Sequence, residues 1–277
     1  MIRSHQGISS RTARVETTHL DHFEQPKEHT VHQLPYANKI ETEAQGVRPL
    51  FQTPDWFLKG KRYNIRLRSE IVREFLGDGQ FNSILDIGCG DGSLSLPLLT
   101  QSNRLTLLDI SIGMLDAARA NIPSGLAANV RIINDDFMQT QLEPRSYDLI
   151  ICVGVLAYVK SPDATIAKIA SLLKPGGSVI TENTNSAHPL TMLYTRLARA
   201  LKPNYPISRV RSKDVLAAYS HHGLRLSGLF RYSLAQPGIA HVLSQDRLYR
   251  LLRLIHGNTK KNRNIWLANE FLYHFKR

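Results

Sequence analysis

The 277-residue sequence is poor in cysteine and contains no long uninterrupted apolar run. Its two cysteines, Cys89 and Cys152, cannot form a disulfide framework, which favours a reducing, cytoplasmic setting. No stretch approaches the roughly 18–20 apolar residues that a membrane-spanning helix needs, so we expect a soluble protein. Apolar residues nevertheless make up 42% of the chain, which is enough to bury an ordinary globular core.

Acidic residues are also scarce, with 23 Asp and Glu against 35 Lys and Arg, and the net charge is +12. The excess is concentrated near the end of the chain, because residues 246–277 contain eight basic residues and two acidic ones. This balance favours anionic partners such as nucleic acid, acidic lipid or a phosphorylated or carboxylated substrate. Basic runs commonly only solvate a surface, so the charge alone does not identify a partner.

Residues 1–45 are polar, lack a sustained apolar period and contain five of the eleven histidines. They offer too little apolar surface to offset the cost of ordering, so we predict a flexible arm. The histidines do not have the spacing of zinc ligands, and no metal site is predicted. The acid-free start, with its Arg and Ser residues, is also typical of an organelle transit peptide. We predict that residues 46–277 form one domain.

Short apolar segments alternate with helical patterns from residue 60 onward. This alternation is typical of an α/β fold in which buried parallel strands are covered by helices on both faces. Predicted strands lie at 83–87, 105–109, 130–133, 147–153, 178–181, 224–232 and 265–275. Predicted helices lie at about 60–77, 94–100, 114–120, 164–173, 190–201, 213–222 and 239–255. Two segments, about 184–212 and 235–263, are predicted to form an α-helical cap over the substrate.

A glycine-rich turn follows the first predicted strand. The strand ends at Asp86, and glycine recurs at positions 88, 90 and 92. Glycine at a strand-to-helix turn permits tight geometry and close approach of a ligand. A dinucleotide-binding turn needs a further glycine at position 93, where this chain has Ser93. The spacing therefore argues against a nicotinamide-dependent dehydrogenase and for a ligand without a pyrophosphate.

Two later strands also end in acidic residues. Asp109, at the tip of the second strand, can accept hydrogen bonds from both hydroxyls of a ribose. After the third strand, a carboxylate of Asn134-Asp-Asp-Phe137 can accept from an adenine amino group while the next backbone N–H donates to the ring. Both positions favour an adenine nucleoside as the ligand.

These segments together resemble the class I S-adenosylmethionine-dependent methyltransferase family. The resemblance covers about residues 60–182 and rests on five segments in the family's order: Leu85–Gly92, Leu108–Ser111 with Met114 and Leu115, Asn134–Phe137, Tyr147–Leu156 and Leu173–Gly177. It implies a Rossmann-like, seven-stranded, mostly parallel sheet with an antiparallel last strand. It also implies that the cofactor is S-adenosylmethionine and that residues 174–177 are the turn before strand five.

The resemblance assigns roles residue by residue. The first turn would face the methionine part of the cofactor, and Asp109 would hold its ribose. Asp136 with the Phe137 N–H would contact the adenine, with Asp135 as the competing acid. Cys152 and Val153 would line the sulfonium region. The full set of implied cofactor-binding residues is Asp86, Ile87, Gly88, Cys89, Gly90, Asp109, Ile110, Met114, Asp136, Phe137, Cys152 and Val153.

Methyl transfer requires a nucleophile placed in line with the methyl group, and an oxygen or nitrogen nucleophile can use a base. The candidates are Tyr158, Glu182 and His188, which follow strands four and five. Tyr158 stands where the family often carries histidine, so a histidine base at that position is in doubt. Near the start of the domain, Tyr63 and Arg66 are candidates to close over the cofactor's carboxylate.

We therefore predict methyl transfer to an oxygen or nitrogen of a small or medium-sized metabolite, partly hydrophobic or anionic. The basic tail leaves RNA or protein methylation open, although no RNA-binding module and no Asn-Pro-Pro-Tyr motif is present. A non-catalytic, cofactor-binding partner subunit is disfavoured by the intact acids. Residues 248–255 form either a packed cap helix or a peripheral contact with an anionic membrane. The oligomeric state stays open.

Overall fold

The computed structural model describes residues 62–189, 191–193, 196, 210–233 and 243–277. The predicted N-terminal arm lies outside the described residues. So do most of the first predicted cap segment and residues 235–242 of the second. The predicted helix at 190–201 also falls largely outside them.

Seven strands form one sheet among the described residues, in the order β3-β2-β1-β4-β5-β7-β6. The pairing is parallel from β3 through β5, whereas β7 runs antiparallel to both of its neighbours. The strands are β1 (Ser83–Ile87), β2 (Arg104–Asp109), β3 (Val130–Asn134), β4 (Tyr147–Cys152), β5 (Leu173–Thr184), β6 (Arg225–Tyr232) and β7 (Glu270–Lys276). The predicted mostly parallel, seven-stranded sheet is confirmed.

Helices cover both faces of this sheet, because neighbouring residues of one strand enter different cores. Ile84 of β1 belongs to a core shared with α1, α2 and α5, and Leu85 belongs to a core shared with α3 and α4. Both residues are almost fully buried, as expected for a strand covered on both faces. The helices are α1 (Arg62–Leu76), α2 (Ile112–Asn121), α3 (Pro162–Leu172), α4 (Ser212–His221) and α5 (Gln245–His256).

The predicted helix at 94–100 is wrong. Only a single 3-10 turn forms there, at Leu96–Leu98. Pro97 lies in that segment, and proline in a helix interior lacks an N–H donor and clashes with the carbonyl of the preceding turn. The connection from β1 to β2 is therefore short and mostly irregular.

Two strands, β5 and β7, differ from their predicted spans by more than one residue. Residues 174–177 belong to β5 and bulge out of it, since Tyr147 pairs with Leu173 and Leu149 pairs with Ser178. The strand predicted at 265–275 begins only at Glu270, where the pairing with Thr184 of β5 and Tyr232 of β6 starts. Residues 265–269 extend beyond both neighbouring strands, and Ile265–Leu267 forms a 3-10 turn instead.

Serine residues fix the starts of three helices. The hydroxyls of Ser111, Ser161 and Ser244 accept hydrogen bonds from backbone N–H groups in the first turns of α2, α3 and α5. The Ser244 cap sets the start of α5 at Gln245, later than the predicted residue 239, whose own structure is not described. No helix in the described part of the chain is long and apolar enough to cross a membrane.

Candidate functional site

The turn after β1 is anchored to β2 by its backbone. The N–H groups of Gly88 and Cys89 donate to the Leu108 carbonyl at 2.8 and 3.1 Å. Gly88 and Gly90 have φ angles of +64° and +56°, which favour glycine. A Cβ at Gly88 would lie 2.5 Å from Val155 Cγ2 in the loop after β4, whereas a Cβ at Gly90 would meet no atom of the described residues within 4 Å. Gly88 therefore closes against the neighbouring loop, and Gly90 borders open space.

Asp109 lies at the tip of β2 with both carboxylate oxygens oriented by the backbone. Oδ2 accepts from the Gly90 N–H and Oδ1 from the Ser111 N–H, each at 2.9 Å. Burial raises the pKa of Asp109, although hydrogen bonds from the backbone N–H groups oppose that rise. Each oxygen retains further acceptor capacity. A fixed, doubly accepting carboxylate at this place fits the predicted contact with a ribose, which stays a prediction.

Asp86 lies beneath the glycine turn and is only 1% exposed. The Ser95 hydroxyl donates to its Oδ2 at 2.6 Å, and burial raises the pKa of Asp86 to about 7. In this position the carboxyl group holds the segment after the turn. The neighbouring residues Ile87 and Cys89 are also buried, and burial raises the pKa of the Cys89 thiol. A direct contact of Asp86 with the methionine part of a cofactor stays a prediction.

The two acids in the segment after β3, Asp135 and Asp136, differ in their hydrogen-bond partners. Both oxygens of Asp135 are in use, since Oδ1 accepts from the Asp136 N–H at 2.8 Å and Oδ2 accepts from the Thr140 hydroxyl at 2.9 Å. Asp136 accepts only from the Met138 N–H, through Oδ1 at 2.8 Å, so its Oδ2 has no partner among the described residues. Within the same described part, the Phe137 N–H is also without a partner. This geometry favours Asp136 with the Phe137 N–H as the adenine contact.

Lys168 of α3 fixes this segment from outside. Its ammonium donates to the carbonyls of Phe137 at 2.5 Å and Thr140 at 2.7 Å, and lies 4.8 Å from the centre of the Phe137 ring. Burial lowers the pKa of Lys168, and the charges of Asp136 and Asp135 oppose that effect. Lys168 could not be identified from the sequence, because nothing in the helical pattern of α3 marks it as a contact to a loop.

The remaining predicted cofactor residues also lie at the carboxyl ends of the parallel strands. Asp86 pairs with Ile151 and Asp109 with Asn134, so the loops after neighbouring strands come to one edge of the sheet. Cys152 ends β4 and Val153 follows it, both in buried positions, and burial raises the pKa of Cys152 to about 12. Ile110 and Met114 flank the start of α2, with Met114 buried.

Glu182, a predicted base, is held in a buried ion pair. Its carboxylate faces the Arg68 guanidinium with Oε2 at 2.5 Å from Nη2 and Oε1 at 2.9 Å from Nε. The Tyr232 hydroxyl donates to the same Oε1 at 2.5 Å. Burial lowers the pKa of Arg68, but the charge of Glu182, together with the interactions with Tyr232 and Glu270, outweighs burial and holds that pKa above its ordinary value. A carboxylate bound on both oxygens is poorly placed to accept a proton from a substrate.

Arg68 is the residue that the sequence analysis missed. Tyr63 and Arg66 were the candidates in α1, but Tyr63 is buried and Arg66 pairs with Glu70 and Asp246 on the outer side of the helix. Arg68 instead points to the carboxyl edge, where its Nη1 lies 3.8 Å from the position of a Cβ on Gly154. The sequence pattern did place Arg68 on the buried side of α1, because position 68 lies on the same helix face as the buried residues 64, 67, 71 and 72.

Tyr158 and His188 lie in the loops after β4 and β5. The Tyr158 N–H donates to the Val155 carbonyl at 2.8 Å, which places Tyr158 in a turn beside the residue that contacts Gly88. His188 Nε2 lies 3.2 Å from the Trp266 carbonyl, so the ring has a partner in the segment before β7. Both residues are partly exposed. The structure leaves their predicted roles as bases untested.

A cleft of about 750 Å³ lies on the face covered by α1 and α2. It reaches the outer side of the glycine turn at Asp91 and Ser93. Its lining does not include Asp109 or Asp136, so the cleft and the predicted nucleoside contacts are separate places. It is lined by Arg62, Ile65, Arg66, Ser69, Glu70, Arg73, Asp91, Ser93, Ala117, Ala120 and Asn121.

The arrangement defines a class of protein. The fold is that of a Rossmann-like methyltransferase. It has this strand order, an antiparallel β7 and acidic residues at the ends of the parallel strands. A solved structure with this fold is the magnesium protoporphyrin IX methyltransferase of Synechocystis with bound S-adenosylhomocysteine. It shares 17% identity and a TM-score of 0.60, over 85% of this chain and 99% of that one. At this identity the likeness shows the fold.

Sequence comparison adds the family. Residues 84–177 match the family described as "Methyltransferase domain". The chain is also similar to ubiquinone biosynthesis O-methyltransferases. Identity is 30% over 129 residues for Bordetella avium, covering 46% of this chain and 53% of that protein. It is 32% over 151 residues for Xylella fastidiosa, covering 52% and 61%. Residues 84–177 therefore belong to the class I S-adenosylmethionine-dependent methyltransferase family, and the predicted family is confirmed.

The chain spans between about half and three fifths of the length of these curated relatives. The matched region contains the glycine turn, Asp109 and Asp136, and it ends before most of β5. The family is one that uses S-adenosylmethionine, in agreement with the predicted cofactor. Among the described residues, no group of three or more His, Cys, Asp and Glu side chains is arranged to hold a metal ion.

Proposed function

We propose that this chain transfers a methyl group from S-adenosylmethionine to an oxygen or nitrogen of a small or medium-sized metabolite. The observation that carries this proposal is the open backbone at Gly90 beside a carboxylate, Asp109, whose two oxygens are fixed by backbone N–H groups. The Phe137 N–H and one oxygen of Asp136, neither of which has a hydrogen-bond partner among the described residues, lie after β3, the strand next to β2. Together these groups fit the ribose and adenine of the cofactor.

The chain's own residues would bind and orient. Asp109 would accept hydrogen bonds from the ribose hydroxyls, and Asp136 with Phe137 would contact the adenine. The turn from Gly88 to Gly90 would let the methionine part approach the backbone closely, while Asp86 and Ser95 hold that turn from below. The bound cofactor supplies a methyl group already activated by the sulfonium. Orientation alone can contribute roughly 7–11 kcal/mol to such a reaction.

For the proton of the acceptor, we favour Tyr158 or His188 over Glu182. Glu182 is committed to Arg68 and Tyr232, and we assign it a positioning role at the carboxyl edge. The similarity to O-methyltransferases of ubiquinone biosynthesis supports an oxygen nucleophile on a partly hydrophobic acceptor. Methylation of RNA or protein, and cofactor binding without catalysis, are the alternatives. The cysteine content supports a cytoplasmic setting.

Calorimetric titration of the full chain with S-adenosylmethionine, S-adenosylhomocysteine and NAD tests the proposal. We expect both sulfur nucleosides to bind and NAD to give no heat of binding. Binding of NAD alone would contradict the assignment. With cofactor binding established, formation of S-adenosylhomocysteine is measured with phenolic acceptors, amine acceptors and RNA. Turnover with the phenols supports the proposed acceptor class, and turnover with RNA alone overturns it.

A further inference from the structure

Helix α5 carries apolar side chains on its outward face as well as on its inward one. Leu248 and Leu252 are buried against the rest of the domain. Leu251 is 37% exposed and Leu254 is 73% exposed. With Arg247 and Arg250, these two leucines have the three- and four-residue spacing of one helix face. The outward face of α5 is therefore a mixture of leucine and arginine and not purely polar.

The segment before β7 adds two more exposed apolar side chains at the end of this helix. Ile265 is 44% exposed and Trp266 is 74% exposed. The Asn264 amide donates to the Ile255 carbonyl at 2.7 Å, which ties this segment to the last turn of α5. We name this surface the C-terminal face: its apolar members are Leu251, Leu254, Ile265 and Trp266, and its basic members are Arg247, Arg250, Lys260, Lys261 and Arg263.

The positive charge of the C-terminal face is not compensated within the described part of the chain. None of its five basic side chains pairs with a carboxylate there. The two acids of residues 246–277 are used elsewhere. Asp246 pairs with Arg66 at 3.3 Å, and Glu270 is buried and accepts from the Thr184 hydroxyl. The face therefore suits a partner that is both anionic and apolar.

We propose that the C-terminal face docks on the surface of an anionic lipid bilayer. Exposed tryptophan and leucine among arginines and lysines match the interface, where apolar side chains enter the acyl boundary and basic ones meet acidic headgroups. Nucleic acid would satisfy the charge and could stack on Trp266, but it offers nothing to Leu254 or Ile265. The exposed aliphatic side chains of the face therefore favour a bilayer over nucleic acid as its partner.

This inference goes beyond the proposed methyl transfer and does not depend on it. The two places are adjacent, however, because His188 in the loop after β5 contacts the Trp266 carbonyl. Docking through the C-terminal face would hold the carboxyl edge of the sheet near the membrane surface. A partly hydrophobic acceptor could then pass from the bilayer to the site without crossing bulk water.

Co-sedimentation of the full chain with lipid vesicles tests the proposal without any measurement of methyl transfer. We expect binding to phosphatidylcholine vesicles that contain phosphatidylglycerol, little binding to phosphatidylcholine alone, and release by salt. Arg250→Gln should weaken the partition by about five-fold. Trp266→Ala with Leu254→Ala should weaken it further. Leu226→Ala is the matched control, since Leu226 is 44% exposed on β6, outside the C-terminal face.

Three results would overturn the proposal. The first is no sedimentation with acidic vesicles at low salt. The second is equal binding to neutral vesicles. The third is binding that Arg250→Gln weakens while the double variant Trp266→Ala with Leu254→Ala leaves it unchanged; together with retention on single-stranded RNA, this would assign the face to nucleic acid. Thermal unfolding of each variant confirms that the comparison is made on folded protein.

Discussion

The two halves of the sheet are held by different kinds of interaction. At the carboxyl ends of β1 and β2, backbone N–H groups position the loops, as in the bonds from Gly90 and Ser111 to Asp109. In the half formed by β5, β6 and β7, charged and phenolic side chains hold neighbouring elements together. Arg68, Glu182 and Tyr232 join α1 to two strands in one buried group.

This difference explains where sequence motifs are informative. A loop positioned by backbone groups needs glycine and an acid at fixed spacing, because only those residues permit the geometry and accept the bonds. A buried ion pair needs two residues that can be far apart in the chain, as Arg68 and Glu182 are. The first half therefore carries the family motifs, and the second half carries a network without a local pattern.

The largest expected effect comes from breaking the ion pair of the second half. Arg68→Ala leaves Glu182 buried without its charge partner, which should cost about 3–5 kcal/mol of unfolding free energy. Arg66→Ala is the matched control two residues away, and loss of its exposed pairs with Glu70 and Asp246 should cost about 0–1 kcal/mol. Urea denaturation measures both. An equal loss of unfolding free energy in the two variants would show that the buried ion pair does not stabilise the half of the sheet formed by β5, β6 and β7.

A second test concerns the pH dependence of stability in the first half. Burial raises the pKa of Asp86 from 3.8 to about 7, so the folded state retains a proton that the unfolded chain has already lost between these values. The unfolding free energy should therefore fall as pH rises from about 4 to 7, by up to ~1.4 kcal/mol per pH unit for this group, and then level off. Asp86→Asn, which does not ionise, should lack this decline.

The comparison is made by denaturation of both proteins across this pH range, because other titrating groups contribute equally to each. If the difference between wild type and Asp86→Asn stays constant from pH 4 to 7, the carboxyl group is ionised in the folded protein. The Asp86 carboxylate would then need a positively charged partner, because its hydrogen bond to the neutral Ser95 hydroxyl would not keep it ionised.

A smaller expected effect separates binding from stability at the glycine turn. Gly90→Ala should cost about 1–2 kcal/mol of stability, because alanine is strained at a φ of +56°. It should also weaken binding of S-adenosylhomocysteine about ten-fold, or ~1.4 kcal/mol, since the methyl group enters the open space beside the backbone. Calorimetry and urea denaturation measure the two effects separately.

Gly125→Ala is the control for that substitution. Gly125 has a φ of +82°, and a Cβ there also meets no atom of the described residues within 4 Å, so the backbone strain is similar. It lies in the connection between α2 and β3, away from the glycine turn. We expect a similar loss of stability and unchanged affinity. If both variants weaken binding equally, the open space at Gly90 is not the cofactor site.

The sequence predicted the sheet closely because its strands are short, apolar and bounded by motif residues. The span of β1 was predicted as Ser83–Ile87, as observed, and β2, β3 and β4 differ by one residue each. The prediction was wrong at 94–100, where apolar spacing indicated a helix and Pro97 limits the segment to one turn. At 265–268, β propensity indicated a strand, but the neighbouring strands β5 and β6 end too early to pair with these residues.

The residues of the candidate site were also only partly predictable from the sequence. Asp109, Asp136 and the glycines followed from their positions at strand ends, and the structure places them at one edge of the sheet. Arg68, Lys168 and Ser95 did not follow, because each acts on a segment that only the tertiary fold brings near. Glu182 was identified, but its partner was not, so its proposed role changes from base to positioning residue.

The central claim is that the carboxyl ends of the parallel strands hold an adenine nucleoside through Asp109. The most direct test is calorimetric titration of S-adenosylhomocysteine into the wild type, Asp109→Ala and Asp116→Ala, an exposed acid on α2. We expect Asp109→Ala to weaken binding by about 1–3 kcal/mol and Asp116→Ala to leave it unchanged. Equal affinity for all three folded proteins would contradict the assignment of this site.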